Sequence, residues 1–259
     1  RSNQPFHNEY HDTYLSINGE IINYKELAEK YNLNLNECGS DCKVVFKLFN
    51  DYGVKNIINE LEGMFSGIYV NARKNISIIF RDRFGIKPLY YTKNKNYFLA
   101  ASEINAILPF LNKANQNLKI VRDFIIDGNI DHTNNTFFEN IFQLPAGCLM
   151  EIDISNNQID THRWFKEDFL TGFSEIKYDD AKYQLKNTLE KLVMQNYISD
   201  VPVAINLSEG VDSTLLASIA ESIGKKPKCY SLKFGLGELE DFYNLQNSSF
   251  ERKFVEFDT

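Results

Sequence analysis

The stretch Val201-Pro-Val-Ala-Ile-Asn-Leu-Ser-Glu-Gly-Val-Asp-Ser-Thr-Leu-Leu216 constrains the fold of this chain more than any other. The apolar run 201–205 reads as a buried strand, the turn 208–213 is polar and contains a glycine, and residues 214–223 have the apolar spacing of a helix. A strand, a loop and a helix in that order belong to an α/β layer. Such a loop aims backbone N–H groups and a helix N-terminus at one point, which favours a bound phosphate or pyrophosphate. Ser208 and Ser213 add hydroxyl donors, and Asp212 can hold a magnesium ion that bridges phosphate oxygens. The plainer alternative is an ordinary strand-to-helix turn, and spacing alone does not separate the two.

The segment Leu207-Ser-Glu-Gly-Val-Asp-Ser213 resembles the Ser-Gly-Gly-x-Asp-Ser pyrophosphate loop of ATP pyrophosphatases that adenylate a substrate. One position departs from the pattern: Glu209 stands where the family has its first glycine. A carboxylate and a Cβ there crowd and repel a pyrophosphate, because glycine permits close backbone approach and positive φ. The resemblance implies ATP and Mg²⁺ as cofactors. Leu207 and Phe234 would flank the adenine, while Ser208, Gly210, Asp212 and Ser213 would hold the phosphates, with Asp212 on the Mg²⁺. Lys228-Cys-Tyr-Ser-Leu-Lys-Phe234 reads as a second parallel strand, the start of a doubly wound sheet. Residues 235–259 fit that family poorly and read as an exposed end.

At 259 residues the chain has room for one large or two ordinary domains. Its 43% hydrophobic and 24% charged residues describe a globular chain able to bury a core. A net charge of -7 and a pI near 5.2 argue against a nucleic-acid surface, and no basic patch is present. Cys38, Cys42, Cys148 and Cys229 lack metal-like pairing, so free thiols in a reducing, cytoplasmic compartment are expected. No apolar run is long enough to span a bilayer, and no charged-then-apolar leader is seen. The chain does not begin with Met and stops soon after one βαβ unit has started, so a fragment of a longer protein is expected.

Upstream, Tyr14-Leu-Ser-Ile17 reads as a short strand running into a turn at Asn18-Gly-Glu20. Residues 24–31 read as a helix. Ser40 is an N-cap for a second helix, with Asp41 in its first turn and Gly53 as its stop. From residue 65 the pattern changes to short strands at 65–71, 76–81, 89–92 and 97–101, paired as hairpins. Helices at 103–108 and 119–127 and strands at 148–154 and 158–164 complete an antiparallel α+β domain.

Several phrases in this domain resemble the glutaminase domain of the asparagine synthetase family. They are Asn18-Gly-Glu-Ile-Ile-Asn23, Gly39-Ser-Asp41, Leu61-Glu-Gly-Met-Phe65, Arg81-Asp-Arg-Phe-Gly-Ile-Lys-Pro-Leu-Tyr90, Ala101-Ser-Glu103 and Leu144-Pro-Ala-Gly147. Each alone is weak. In family order, followed by Asp200-Val-Pro202 and the loop at Ser208, they cover nearly the whole chain. The resemblance implies an N-terminal-nucleophile hydrolase sandwich over 1–165, a linker over 166–177 and the start of an ATP-pyrophosphatase domain over 178–259.

In that family an N-terminal cysteine hydrolyses glutamine, with its own α-amine as the base. An α-amine titrates near pH ~8 and can accept a proton, whereas an internal amide cannot. By resemblance Asn18 and Gly19 supply the oxyanion hole, and glutamine is held by Asn18, Gly19, Glu20 and Asp41. A side-chain amide and a backbone N–H suit a developing oxyanion, and carboxylates suit an ammonium. Position 1 is Arg1, and Cys42 is internal, so the chain as written is expected to be inactive and the complete protein to begin Met-Cys.

The implied activity is a glutamine-hydrolysing, ATP-dependent carbon–nitrogen ligase of asparagine biosynthesis. Ammonia from glutamine amidates an adenylated aspartate; the sequence leaves the oligomeric state open, a homodimer among the options. The rivals are the same architecture acting on another carboxylate (a sugar acid, a peptide or a β-amino acid) and a non-catalytic relative that binds or scaffolds. His7, His11, His132 and His162 read as surface or packing residues. Asp82, Arg83 and Lys87 read as a structural ion-pair loop, and Trp164 as packing near the linker.

Overall fold

The computed structural model describes residues 3–95, 97–166, 175–199, 201–208, 210–234 and 251–257. The chain divides into two units, Arg1–Leu170 and Thr171–Thr259.

Among the described residues the first unit has nine strands: β1 (Phe6–Asn8), β2 (Thr13–Ile21), β3 (Gly63–Asn71), β4 (Ile76–Arg81), β5 (Tyr90–Lys93), β6 (Phe98–Ala101), β7 (Phe142–Gln143), β8 (Cys148–Asp153) and β9 (Gln158–Arg163). They form an antiparallel sheet of order β1-β2-β3-β4-β8-β9 and a small one of order β6-β5-β7. Helices α1 (Tyr24–Lys30), α2 (Leu35–Cys38), α3 (Asp41–Tyr52) and α4 (Val54–Ile57) lie between β2 and β3 in sequence, and α5 (Leu118–Asp127) follows β6.

Two-residue alternation decides which face each side chain serves. Leu15, Ile17, Phe65, Tyr69, Ile78 and Phe80 pack against Leu27, Val44, Val45, Leu48 and Phe49 of the helices. Phe49 meets the rings of Tyr69 and Phe80 edge-on, at 5.9 and 5.5 Å. On the opposite face Ile79, Met150 and Ile152 pack with Leu89, Tyr91 and Phe98 from the small-sheet side. Helices, large sheet and small sheet thus make a layered antiparallel α+β sandwich, the fold class the resemblance implies.

Two local readings change. Asn18-Gly-Glu20 is not a turn: β2 runs through it to Ile21, because Gly19 takes an extended conformation of positive φ (+145°) that continues the strand. The chain turns at Ile22-Asn23 instead. There the buried Asn23 side chain donates to the Glu60 carbonyl (2.8 Å) and accepts from the Glu62 N–H (3.0 Å), tying the end of β2 to the segment before β3. The helix expected at 103–108 is two 3₁₀ turns, Ile104–Ala106 and Leu108–Phe110, since Pro109 has no N–H to continue an α-helix. The short β1, α2 and β7 carry too few residues to show a period.

The same junction carries a pH-sensitive pair. Glu60 accepts from Lys30 Nζ (2.6 Å) and Tyr31 Oη (2.9 Å), and the Lys30 bond holds its carboxyl below the usual range. A depressed folded-state pKa adds stability above the unfolded pKa, lost as pH falls through the folded one. Glu60→Gln is therefore expected to flatten the acid limb of a thermal-midpoint titration, below the ordinary carboxylate range of glutamate. Equal slopes in the two proteins would show that the pair contributes nothing.

The second unit contains α6 (Tyr178–Asn196), β10 (Ala204–Asn206), α7 (Val211–Ser222), β11 (Lys228–Phe234) and β12 (Glu251–Phe257). Strand β10 begins at Ala204 rather than Val201, with Pro202 unable to donate to a ladder. The three strands are parallel, in the order β10-β11-β12. Small residues bring α7 close: Ala217 packs with Leu207 and Cys229, and Ala220 and Ile219 pack with Val193 of α6. Residues 251–257, read from sequence as an exposed end, form a full strand. Phe254 and Val255 suit the extended state, and the free edge of β11 supplies the ladder. Glu209, Asp200, the greater part of the expected linker and residues 235–250 lie outside the described residues.

Candidate active site

In the first unit the site residues gather along the end of β2. Asn18 pairs with Ser66, Gly19 with Phe65, Glu20 with Met64 and Ile21 with Gly63. Asn18 and Glu20 share the exposed face of the strand. Asn18 Nδ2 donates to Ser102 Oγ (3.4 Å), in the bend after β6, so a side chain of one sheet is oriented by the edge of the other. Gly19 has no substitute here: a Cβ would lie 2.0 Å from the Met64 carbonyl oxygen.

Asp41 reaches the same strand end from α3. Ser40 caps that helix, its hydroxyl accepting from Lys43 N (3.2 Å), and leaves Asp41 in the first turn where the dipole favours an anion. Asp41 Oδ2 accepts from the Ile21 N–H (2.9 Å). Ile21 is three residues, roughly 10 Å, along the strand from Asn18. An amide donor and a backbone N–H therefore stand at one end of a short edge, and carboxylates at the other.

Cys42, beside Asp41, is held as a thiol. All four cysteines are buried, and burial, reinforced by the charge of Asp41, pushes the Cys42 thiol up to about 12. On a glutaminase reading of this site, Cys42→Ser in the complete protein is expected to leave the glutamine hydrolysis rate within about threefold of the parent, since a near-fully protonated thiol is inert; abolished turnover would make Cys42 the nucleophile.

A support that the sequence reading did not identify lies behind β3. Asp82, fully buried, accepts from four backbone N–H groups: Phe84 (3.1 Å) and Ile86 (3.0 Å) on Oδ1, Phe65 (3.2 Å) and Lys87 (3.0 Å) on Oδ2. Its neighbour Arg81 donates to the carbonyls of Lys87 (2.8 Å), Leu144 (2.7 Å) and Gly85 (2.6 Å). Backbone bonds, rather than the expected ion pairs with Arg83 and Lys87, organise this loop. They bind the Leu61–Phe65, 81–90 and 144–147 phrases into one framework around Gly19. The signal available in the sequence was an Arg-Asp pair beside Gly and Pro, a composition in which a buried carboxylate has many bare N–H groups to collect.

In the second unit Ser208 Oγ and Ser213 Oγ lie 2.8 Å apart, and Ser208 Oγ accepts from the Gly210 N–H (3.2 Å). Gly210 is the N-cap of α7, with no side chain among the described residues capping the helix, and Asp212 is exposed in its first turn. Leu207, by contrast, is buried, its N–H bonded to the Tyr230 carbonyl (2.8 Å). The backbone of Phe234 ends β11, and its side chain lies outside the described residues. Two hydroxyls, an open helix N-terminus and one carboxylate are the donors that phosphate oxygens and a single Mg²⁺ bond require. Among the described residues no group of three or more His, Cys, Asp and Glu side chains is placed to hold a metal, and no helix is long and apolar enough to cross a membrane.

Comparison with known proteins gives a glutamine amidotransferase domain over residues 1–165 and an asparagine synthase domain over residues 184–255. The chain belongs to the glutamine-hydrolysing asparagine synthetase family. Relatives of this family include the glutamine-hydrolysing asparagine synthetase 2 of Bacillus subtilis, 34% identical over 84% of this chain and 30% of its own length. A putative glutamine-hydrolysing asparagine synthetase of Methanocaldococcus jannaschii is 30% identical over 86% of this chain and 43% of its own. An amidase of Gibberella zeae is 29% identical over 92% and 37%. The chain thus spans 30 to 43% of the length of these curated relatives. Among solved structures, a glutamine phosphoribosylpyrophosphate amidotransferase from B. subtilis shares 16% identity over 87% of this chain and 48% of its own, with a TM-score of 0.43.

Proposed function

We propose that the complete protein hydrolyses glutamine at the β2 edge and uses the ammonia to amidate a carboxylate, aspartate, activated with ATP at the Ser208 loop. The observation that supports this best is the gathering of Asn18, Gly19, Glu20 and Asp41 on one strand end, in a chain that also carries the synthase region. Asn18 Nδ2 and the Gly19 N–H would donate to the oxyanion that forms when the N-terminal cysteine expected of the complete protein adds to the glutamine carboxamide, before ammonia leaves and water releases glutamate. Glu20 and Asp41 would hold the substrate's polar ends, Asp41 fixed by its bond to Ile21. At the second unit Ser208, Gly210 and Ser213 would hold the nucleotide's phosphates and Asp212 a Mg²⁺ ion; bound ATP supplies the adenylyl group that makes a carboxylate reactive.

A relative named an amidase is matched over 92% of the chain, so a second reading, the same architecture acting on another carboxylate, is carried into the test. A panel assay on the complete protein separates them: glutamate release from glutamine, and ATP–pyrophosphate exchange with aspartate and with other acids. Exchange with aspartate alone upholds the first reading, and exchange with another acid the second. No exchange with any acid and no glutamate release would leave neither, and would point to the binding role that Glu209 favours.

A further inference from the structure

We infer that Gly63 is a positioning residue for the glutamine site, setting through one peptide group the carboxylate of Asp41. The assignment rests on the glutaminase reading above. Glu20 and Met64 face each other in the β2–β3 ladder, and each is flanked by a glycine of positive φ, Gly19 at +145° and Gly63 at +146°. The arrangement is reciprocal. A Cβ on Gly19 would meet the Met64 carbonyl oxygen at 2.0 Å, and one on Gly63 would meet the Glu20 carbonyl oxygen at 2.1 Å. Each central carbonyl is therefore turned onto the bare Cα of the opposite glycine.

For Gly63 the consequence runs straight to the site. The Glu20 carbonyl belongs to the same peptide as the Ile21 N–H, and that N–H donates to Asp41 Oδ2 (2.9 Å). Ile21 is also the residue paired with Gly63. A methyl group at position 63 must push the Glu20 oxygen away by about 1 Å to reach ordinary contact, and a planar peptide carries its N–H with it. Asp41 then loses its anchor or moves with it. Gly63 itself has little freedom to yield, because Asn23 clamps Glu60 and Glu62 immediately before it. Gly67, four residues on in β3, is a control. Its Cβ would meet the Phe80 ring at 2.4 Å and the Ser16 carbonyl oxygen at 2.9 Å, a conflict farther down the β2–β3 ladder with no positive φ and away from the Glu20–Ile21 peptide that anchors Asp41.

The test is steady-state kinetics on the complete protein. Gly63→Ala is expected to raise KM for glutamine by roughly 10- to 100-fold, the loss of a hydrogen bond to a charged group. Its kcat should change by less than about threefold, and amidation driven by added ammonia should be unaltered. Gly67→Ala is expected to lower the thermal midpoint without raising KM. In an Asp41→Asn background, Gly63→Ala should add little further, since both act on one contact. Four results would each overturn the assignment: an unchanged KM in Gly63→Ala, the same KM rise in Gly67→Ala, parallel loss of ammonia-driven amidation, or full additivity with Asp41→Asn. A parent protein that does not hydrolyse glutamine would instead overturn the glutaminase reading, and the assignment with it.

Discussion

An Asp82→Ala protein is expected to lose on the order of 4 kcal/mol of stability in its N-terminal unit, because four backbone N–H groups lose their acceptor, that of Phe65 in the buried interior and those of Phe84, Ile86 and Lys87 in part-buried positions. Single unsatisfied groups cost about 1–3 kcal/mol, and partial relaxation of the exposed Phe84 and Ile86 keeps the sum well below four times that. Asp82→Asn should recover only part of the loss, since its NH₂ must face N–H donors on one side. Denaturant unfolding of the complete protein reads the effect as a lower midpoint at unchanged slope. A loss below about 1 kcal/mol would mean that the loop finds other acceptors, and that the framework behind Gly19 is looser than its geometry indicates.

Gly19→Ala is expected to reduce kcat for glutamine hydrolysis by about 10²-fold or more, the cost of displacing one oxyanion donor. The cause is steric and local. A Cβ 2.0 Å from the Met64 carbonyl oxygen, on a backbone of φ +145°, cannot be housed without turning the peptide that bears the N–H. Ammonia-driven amidation should persist, because the substitution lies in the first unit. Retained glutamine turnover in Gly19→Ala would remove this N–H from the mechanism and leave Asn18 to act alone.

Elements whose period is long enough to count were legible in the sequence. The strand Ile76–Arg81 and the Ser40-capped helix ending at Gly53 were read to their boundaries, because each carries both a pattern and a punctuating residue. The turn at Asn18-Gly19 was misread for a physical reason. Asn-Gly is a strong turn signal because it tolerates positive φ, and here the positive φ is used within a strand, where it turns a peptide rather than the chain. Residues 251–257 were misread because a parallel edge strand owes its order to a neighbour distant in sequence. The gathering of Asn18, Gly19 and Asp41 followed from motif order, whereas the bond from Ile21 to Asp41 and the four donors on Asp82 did not. Main-chain direction is set by tertiary context, and side-chain identity alone does not report it.

Trp164 is the chain's sole tryptophan. Its ring stacks on Phe65 with centroids 6.3 Å apart and planes 15° from parallel, and its Nε1 donates to the Arg81 carbonyl (3.2 Å). Phe65 is the residue across the ladder from Gly19. Indole emission is thus an intrinsic optical gauge for that corner of the sandwich. It would follow ligand occupancy at the β2 edge without a label, and would separate disturbance of the strand pair from loss of chemistry in every variant considered above.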